Sequence, residues 1–161
     1  MKTAIIYASK YGTTEKIARL LADSLKETDD VILVSLGKKN TEDLNQFDKI
    51  ILGTSIYAGN SSRKMKLFCA EFQAVLLQKT IGLFICGMEP AEEKRQQEIR
   101  NAYPNWLYEK AKSIKFLGGE FLFEKMNFFE KAIIKKIAKT NSSVSNIDYT
   151  AIQTFAERMK V

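Results

Sequence analysis

Four stretches of this chain are apolar without alternation, Ala4-Ile5-Ile6-Tyr7-Ala8, Val31-Ile32-Leu33-Val34, Ile50-Ile51-Leu52-Gly53 and Ile81-Gly82-Leu83-Phe84-Ile85-Cys86, and a fifth, Ile114 to Phe123, is apolar but for Lys115 and Glu120. A strand with one wet face alternates apolar and polar residues. A continuous run is what a strand needs when helices cover both faces of its sheet, so the sheet is expected to be parallel. Between the runs the period becomes helical. Ile17, Leu20, Leu21 and Leu25 share one face, and Met65, Phe68, Cys69, Phe72 and Leu76 share another. These stripes read as core. The order β-α-β-(turn)-β-α-β-α-β-α predicts an open, doubly wound α/β domain of five strands.

Local signals place the later helices. Glu89-Pro90-Ala91-Glu92-Glu93 puts proline at a first helical position and carboxylates at the positive end of the helix dipole. That helix is expected to stop by Tyr103, because Pro104 disfavours helical geometry in the residue before it, and a second helix restarts with Asn105-Trp106-Leu107. Ile152, Phe155, Ala156 and Met159 give the closing helix its stripe, with Asp148 as N-cap.

Length and composition narrow the chemistry. At 161 residues, with no linker-like stretch or repeat, residues 1–161 read as one domain, and Asn141 to Asn146 as a surface loop. "MKTAIIYAS" is too short for a signal peptide and nothing approaches a membrane span, so a cytoplasmic chain is the expectation. Cys69 and Cys86 lie far apart and read as buried thiols, and no metal site is expected. The absence of histidine removes Ser-His-Asp and Cys-His nucleophile systems. A net charge of +6 fits either a lysine-rich soluble face or an anionic partner; nucleic acid is not expected.

The Gly/Ser/Thr-rich turn "YASKYGTTEKIA" joins the first run to the first helical stripe. It is neither G-x-x-x-x-G-K-[ST] nor G-x-G-x-x-G. It nonetheless has the chemistry of a phosphate cup: Ser9, Thr13 and Thr14 offer hydroxyls, Gly12 permits close backbone approach, and a helix starting near Thr13 presents free N–H groups. The plainer reading is that these residues only cap the helix. In a doubly wound sheet a ligand binds outside the carboxyl ends of the strands where their order reverses, and there three loops converge: Ser9 to Thr14, Thr54 to Asn60, and Gly87 onward.

The flanking residues, Ile5-Ile6-Tyr7-x-Ser9-x-x-Gly12-x-Thr14-x-x-x-Ala18-x-x-Leu21, resemble the flavodoxin signature at every specified position. The resemblance implies a flavodoxin-like three-layer sandwich, a five-stranded parallel sheet of order 2-1-3-4-5, and one FMN. It implies that Ser9, Lys10, Gly12, Thr13 and Thr14 hold the phosphate, with Lys10 and Tyr11 giving backbone N–H groups and leaving their side chains solvated. "GTSIYAGN" is similar to the flavodoxin segment that passes the flavin ring. Thr54 and Ser55 would then face the ribityl chain and phosphate, Ile56 and Ala58 would line the passage, Tyr57 would stack, and Gly59 would permit a peptide flip. Cys86-Gly87 resembles the end of the fourth strand, and Cys86, Gly87 and Met88 would line the flavin there, but Met88-Glu89-Pro90 follows where the family pattern has an acidic residue and then a tyrosine. Tyr103 and Trp106 are the distant candidates for a second aromatic, and core is their ordinary place.

Electron-carrier flavodoxins are usually acidic, whereas this chain is basic. "GTSIYAG", with the tail from Met126 to Ala156, looks more like the menaquinone-dependent protoporphyrinogen dehydrogenase group. That implies an oxidoreductase passing electrons from a small organic donor to a quinone. The alternative is a non-catalytic carrier between redox proteins. A receiver domain of the same fold would need acidic residues where Ala8-Ser9-Lys10 stand. An extra segment at about 124–147 carries Met126, Phe129, Ile133 and Ile137 on one face and Lys131, Lys135 and Lys139 on another. Two placements stay open for it: peripheral contact with the inner face of a membrane or with a partner, or packing on the sheet.

Overall fold

The computed structural model describes residues 1–39, 42–57, 59–138 and 143–160, the side chains of residues 123, 137 and 138 excepted. Five strands form its parallel sheet: β1 (Lys2–Ala8), β2 (Asp30–Ser35), β3 (Lys49–Tyr57), β5 (Thr80–Cys86) and β6 (Ser113–Phe116). Their spatial order is β2-β1-β3-β5-β6, with the two-residue β4 (Asn60–Ser61) folded back antiparallel on the end of β3. Without β4 this is the expected 2-1-3-4-5 order. The order reverses between β1 and β3, which pair in register from Thr3↔Lys49 to Ala8↔Thr54.

Helices α1 (Thr13–Leu25) and α7 (Tyr149–Lys160) cover one face, burying Ile17, Leu21, Leu25, Ile152, Phe155 and Met159 against Ile5, Ile51 and Phe84. On the other face α2 (Arg63–Glu71), α3 (Gln73–Leu76), α4 (Glu92–Ala102) and α5 (Asn105–Lys110) pack on Ile6, Ile50, Leu52, Leu83 and Ile85. Each central strand thus contributes to both layers, as its unbroken apolar run requires. Asp148 caps α7 as expected, its Oδ1 accepting the Ala151 N–H at 2.9 Å. Tyr103 is extended between α4 and α5, at φ −128° and ψ 155°.

Three expectations need correction. Pro90 is not the first residue of α4: the helix opens at Glu92, because Glu89 Oε1 accepts the Ala91 N–H (3.1 Å) and Arg95 Nη2 holds the Pro90 carbonyl (3.0 Å), which ties those residues into a turn. The run from Ile114 to Phe123 is not one strand. It stops at Phe116, and the chain turns at Gly118, whose φ is +80°. A short antiparallel pair follows, β7 (Glu120–Phe121) with β8 (Val144–Ser145). The expected loop at Asn141 to Asn146 therefore contains a strand, while Asn141 and Ser142 lie outside the described residues.

Between β7 and β8 runs helix α6 (Phe128–Ala138), so the extra segment is an excursion within the last strand-to-helix connection. Its two ends are clamped together: Asn146 N–H donates to the Gly119 carbonyl at 2.7 Å, and Asp148 N–H to the Leu117 carbonyl at 3.0 Å. A Cβ on Gly118 would lie 2.1 Å from the Asn146 carbonyl, so only glycine fits there.

At the opposite end of the sheet a charge pair is fully enclosed. Lys49 Nζ donates to Asp29 Oδ2 at 2.8 Å, and Thr3 Oγ1 donates to the same oxygen at 2.6 Å. Lys49 and Asp29 side chains are 1% and 2% exposed. Burial alone would raise the Asp29 pKa, but the hydrogen bonds from Lys49 and Thr3 and the lysine charge outweigh it and hold the carboxyl below 3.8. Removing one partner strands the other charge. Lys49→Met should destabilise the protein by about 3–5 kcal/mol in urea unfolding at pH 7. For the wild type, the folded Asp29 has the lower pKa, so its contribution is complete above 3.8 and is lost as pH falls through the folded value. Unfolding midpoints below pH 4 should show that loss, and its absence in Lys49→Met.

Candidate functional site

The carboxyl ends of β1, β3 and β5 open on one side of the sheet, and a narrow cleft lies there. Its floor and walls bring together Ser9, Lys10, Tyr11, Thr13 and Thr14 from the first loop, Ser55, Ile56 and Tyr57 from the second, and Cys86, Gly87 and Met88 from the third. The three loops expected to converge do so. A wider cleft adjoins it, sharing Ser9, Lys10, Ser55 and Tyr57 and continuing toward Arg63 and Lys64.

Gly12 is the residue before α1 and stands at φ 97°, a left-handed conformation in which a side chain is strained. Ser9 Oγ accepts the Gly12 N–H at 3.0 Å and fixes the turn. The turn therefore aims the start of α1 at the cleft without a side-chain cap on the helix. Thr14 is 1% exposed, and its hydroxyl has no hydrogen bond of normal geometry; the nearby Cys86 thiol is its polar neighbour. A buried hydroxyl left in this way at a helix N-terminus is a donor awaiting an acceptor.

Other expected residues sit differently. Thr54 does not line the cleft: it is fully buried, and its Oγ1 accepts the Ser62 N–H at 3.2 Å. Gly59 turns the chain between β3 and β4 at φ 79°, and Ala58 lies outside the described residues. Tyr103 belongs to the core, its hydroxyl within 2.9 Å of the Leu52 carbonyl and 2.8 Å of the Phe84 carbonyl. Trp106 packs on the same cluster. Neither aromatic reaches the cleft.

The side chains of Lys10 and Tyr11 are engaged rather than solvated. Lys10 Nζ pairs with Glu130 Oε2 at 2.8 Å and lies 4.4 Å from the Tyr57 ring centroid. Tyr11 and Tyr57 meet edge to face at 6.2 Å. Both pack on Met126 and Ile134 of the excursion, together with Phe121. The excursion therefore roofs the site instead of packing on the sheet. Met126 precedes α6, and Ile134 shares its helical face with Glu130, whereas Phe129 and Ile133 occupy a neighbouring, exposed face. The expected stripe thus divides, and the Ile137 side chain and Lys139 lie outside the described residues.

Four lining residues were not anticipated: Gly119, Glu120, Phe121 and Met126. The available signal was the Gly118-Gly119 pair, which interrupts an apolar run where a strand should end. Gly119 also lies against the Gly87 backbone, where a Cβ would meet the Gly87 carbonyl at 2.7 Å. Glu120 accepts from Thr13 Oγ1 at 3.1 Å and faces Lys16 Nζ at 3.4 Å.

A flavodoxin domain model matches residues 4–148, and the chain belongs to that family. It is 31% identical over 84 residues to a flavodoxin of Clostridium saccharobutylicum. The match takes in 51% of this chain and 52% of that relative, so the chain spans about half the length of the curated relative it matches. Among solved structures, the Streptococcus pneumoniae TIGR4 flavodoxin superposes with a TM-score of 0.60 at 18% identity, covering 99% of this chain and 97% of that one. A flavoprotein of Lactobacillus acidophilus NCFM in complex with FMN superposes with a TM-score of 0.52 at 16% identity, covering 73% and 92%. Both share the fold. Among the described residues no helix is long and apolar enough to cross a membrane.

The two thiols are chemically quiet. Burial pushes both Cys69 and Cys86 up to about 12, with the Thr14 hydroxyl opposing that rise at Cys86. A disulfide-exchange reagent at pH 8 should leave the native protein unlabelled and titrate both thiols after unfolding in urea.

Proposed function

We propose that this chain is a redox flavoprotein that binds FMN in the cleft at the carboxyl ends of β1, β3 and β5. The observation that carries the reading is the Thr14 hydroxyl, buried and without a normal hydrogen bond, beside the uncapped start of α1. Ser9, Lys10, Gly12, Thr13 and Thr14 would hold the phosphate through hydroxyl and backbone donors. Ser55, Ile56 and Tyr57 would flank the flavin on one side, and Cys86, Gly87 and Met88 on the other. Thr54 supports that second loop from behind, and Gly59 gives its tip freedom. Bound FMN would supply reversible uptake of one or two electrons. The chain's own part is to fix the phosphate, to offer the Tyr57 ring, and to exclude water with the Met126 and Phe121 roof.

The roof favours an oxidoreductase acting on a small molecule over a carrier that docks on proteins through an open flavin edge. We read it as similar to menaquinone-dependent protoporphyrinogen dehydrogenases, working in the cytoplasm with an organic donor and a quinone acceptor. The family membership keeps the electron carrier as the second reading. Steady-state turnover of a porphyrinogen-type donor with a soluble quinone decides between them. Turnover supports the enzyme. Electron exchange with a redox protein alone supports the carrier.

FMN binding itself is tested by calorimetry. Thr14→Ala should weaken FMN by about 1 kcal/mol or more, because a donor to a charged phosphate is lost. A preference for FAD or a nicotinamide dinucleotide over FMN overturns the reading.

The outward side of α6 adds a place of work. Phe128 and Phe129 are 80% and 76% exposed, Ile133 is 41% exposed, and Lys131, Lys135 and Lys136 follow on the same short helix. Apolar rings among lysines suit the surface of an anionic bilayer, where a membrane-dissolved quinone would be at hand. The protein should sediment with anionic liposomes at low salt and be released at high salt, and Phe128→Ser/Phe129→Ser should not sediment. Failure to bind at low salt removes the membrane contact and leaves the flavin site standing.

A further inference from the structure

Both lysines of the phosphate turn already have carboxylate partners, and the excursion supplies them. Lys10 pairs with Glu130 at 2.8 Å and Lys16 with Glu120 at 3.4 Å. Glu120 is the more intrusive of the two. Its side chain is 8% exposed, it lines the cleft, and it also takes the Thr13 hydroxyl at 3.1 Å. The one acidic side chain among the described residues lining the cleft thus sits on a donor at the start of α1, where the helix dipole favours an anion.

A carboxylate and a phosphate monoester ask for the same partners: a hydroxyl donor, a cation, and the positive end of a helix. They repel each other when both are present. We propose that Glu120 is an internal occupant of the phosphate turn, and that a phosphorylated ligand must displace its carboxylate whereas an unphosphorylated ligand of the same ring system need not. The inference rests on the flavin reading above and names the residue that tunes its affinity. Glu120 also belongs to β7, whose pairing with β8 anchors the α6 excursion. Its displacement therefore acts on the element that carries the roof, and filling the turn is coupled to the position of the lid.

The coupling has a specific chemical signature. Glu120→Gln keeps the size of the side chain and an oxygen that accepts from Thr13, but removes the charge that opposes phosphate and frees Lys16. Calorimetric titration of the full chain with FMN and with riboflavin separates the effects. Glu120→Gln should bind FMN about tenfold tighter than wild type while riboflavin changes by less than about twofold. Independently of any variant, FMN added to wild-type protein should move the carbon-13 resonance of the Glu120 carboxyl and the Thr13 methyl resonance, and riboflavin should leave both in place. Wild-type and variant proteins that bind neither flavin overturn the flavin reading and this inference with it. Wild-type protein that binds FMN, with Glu120→Gln binding it no tighter or gaining equally for riboflavin, overturns the role of Glu120 alone. Unchanged Glu120 and Thr13 resonances on FMN binding do the same.

Discussion

Every loop of the candidate site hangs from a strand that is buried on both faces, and that two-sided burial is the constraint on which the rest depends. Ile5 faces the α1 and α7 layer while Ile6, its neighbour in sequence, faces the α4 layer; Ile50, Ile51 and Leu52 alternate in the same way. A slip of one residue would exchange the two sets and leave each layer with the wrong volumes. Gly53 shows how tight the match is. A Cβ there would fall 2.0 Å from the Phe84 ring, so that ring lies directly over the backbone of the adjoining strand. Tyr103 locks the same place from the other layer, with its hydroxyl on the Leu52 and Phe84 carbonyls. Burial pushes that phenol well above 10.0, which keeps it a neutral donor at all ordinary pH. The register that results sets Ala8 beside Thr54 and Ser55 beside Cys86, so the three loops leave the sheet at one level.

The excursion exploits that level. β6 ends at the same side of the sheet, and Gly87 N–H donates to the Gly118 carbonyl at 2.9 Å. Because Gly119 carries no side chain, the chain lies flush on Gly87 and enters β7 already over the cleft. The clamp at Gly119 and Asn146 makes the intervening segment a closed flap instead of a loose tail. Its polar contacts reach the first loop through Glu120 to Thr13, Lys125 Nζ to the Tyr11 carbonyl at 3.2 Å, and Glu130 to Lys10, and the second through the Tyr57 hydroxyl on the Glu130 carbonyl at 3.5 Å. The lysine ends of the two ion pairs stay half exposed, so solvent screens each pair. The burial of Met126 and Ile134 against Tyr11 and Tyr57 gives the flap its hold.

The sequence announced the sheet because a parallel sheet writes itself as unbroken apolar runs, and it announced the turn because Ser9, Gly12, Thr13 and Thr14 cluster within one short stretch. The roof was legible only as an extra amphipathic helix. Its inward face depended on where α6 begins, and Phe128 as first residue moves Met126 off the helical period. Glu120 and Phe121 were hidden for another reason. They lie within an apolar run that composition alone extends to Phe123, and only the tertiary contact of Gly119 with Gly87 shows why the strand must stop first. Thr54 failed as a lining residue because alternation along β3 turns its side chain into the protein, where the Ser62 N–H needs an acceptor.

The same geometry explains what a net charge of +6 does and does not do. Around the turn the cations are spent locally: Lys10 on Glu130 and Tyr57, Lys16 on Glu120, Lys125 on a backbone carbonyl. At the turn itself, recognition of an anion would therefore fall to the oriented hydroxyls and N–H groups of α1, whose effect is short-ranged. Exposed lysines stand on the outer side of α6, at Lys135 and Lys136, while Arg63 and Lys64 line the adjoining cleft. Met126 and Ile134 tie α6 to Tyr11 and Tyr57, so a movement of that helix would be felt directly at the first and second loops.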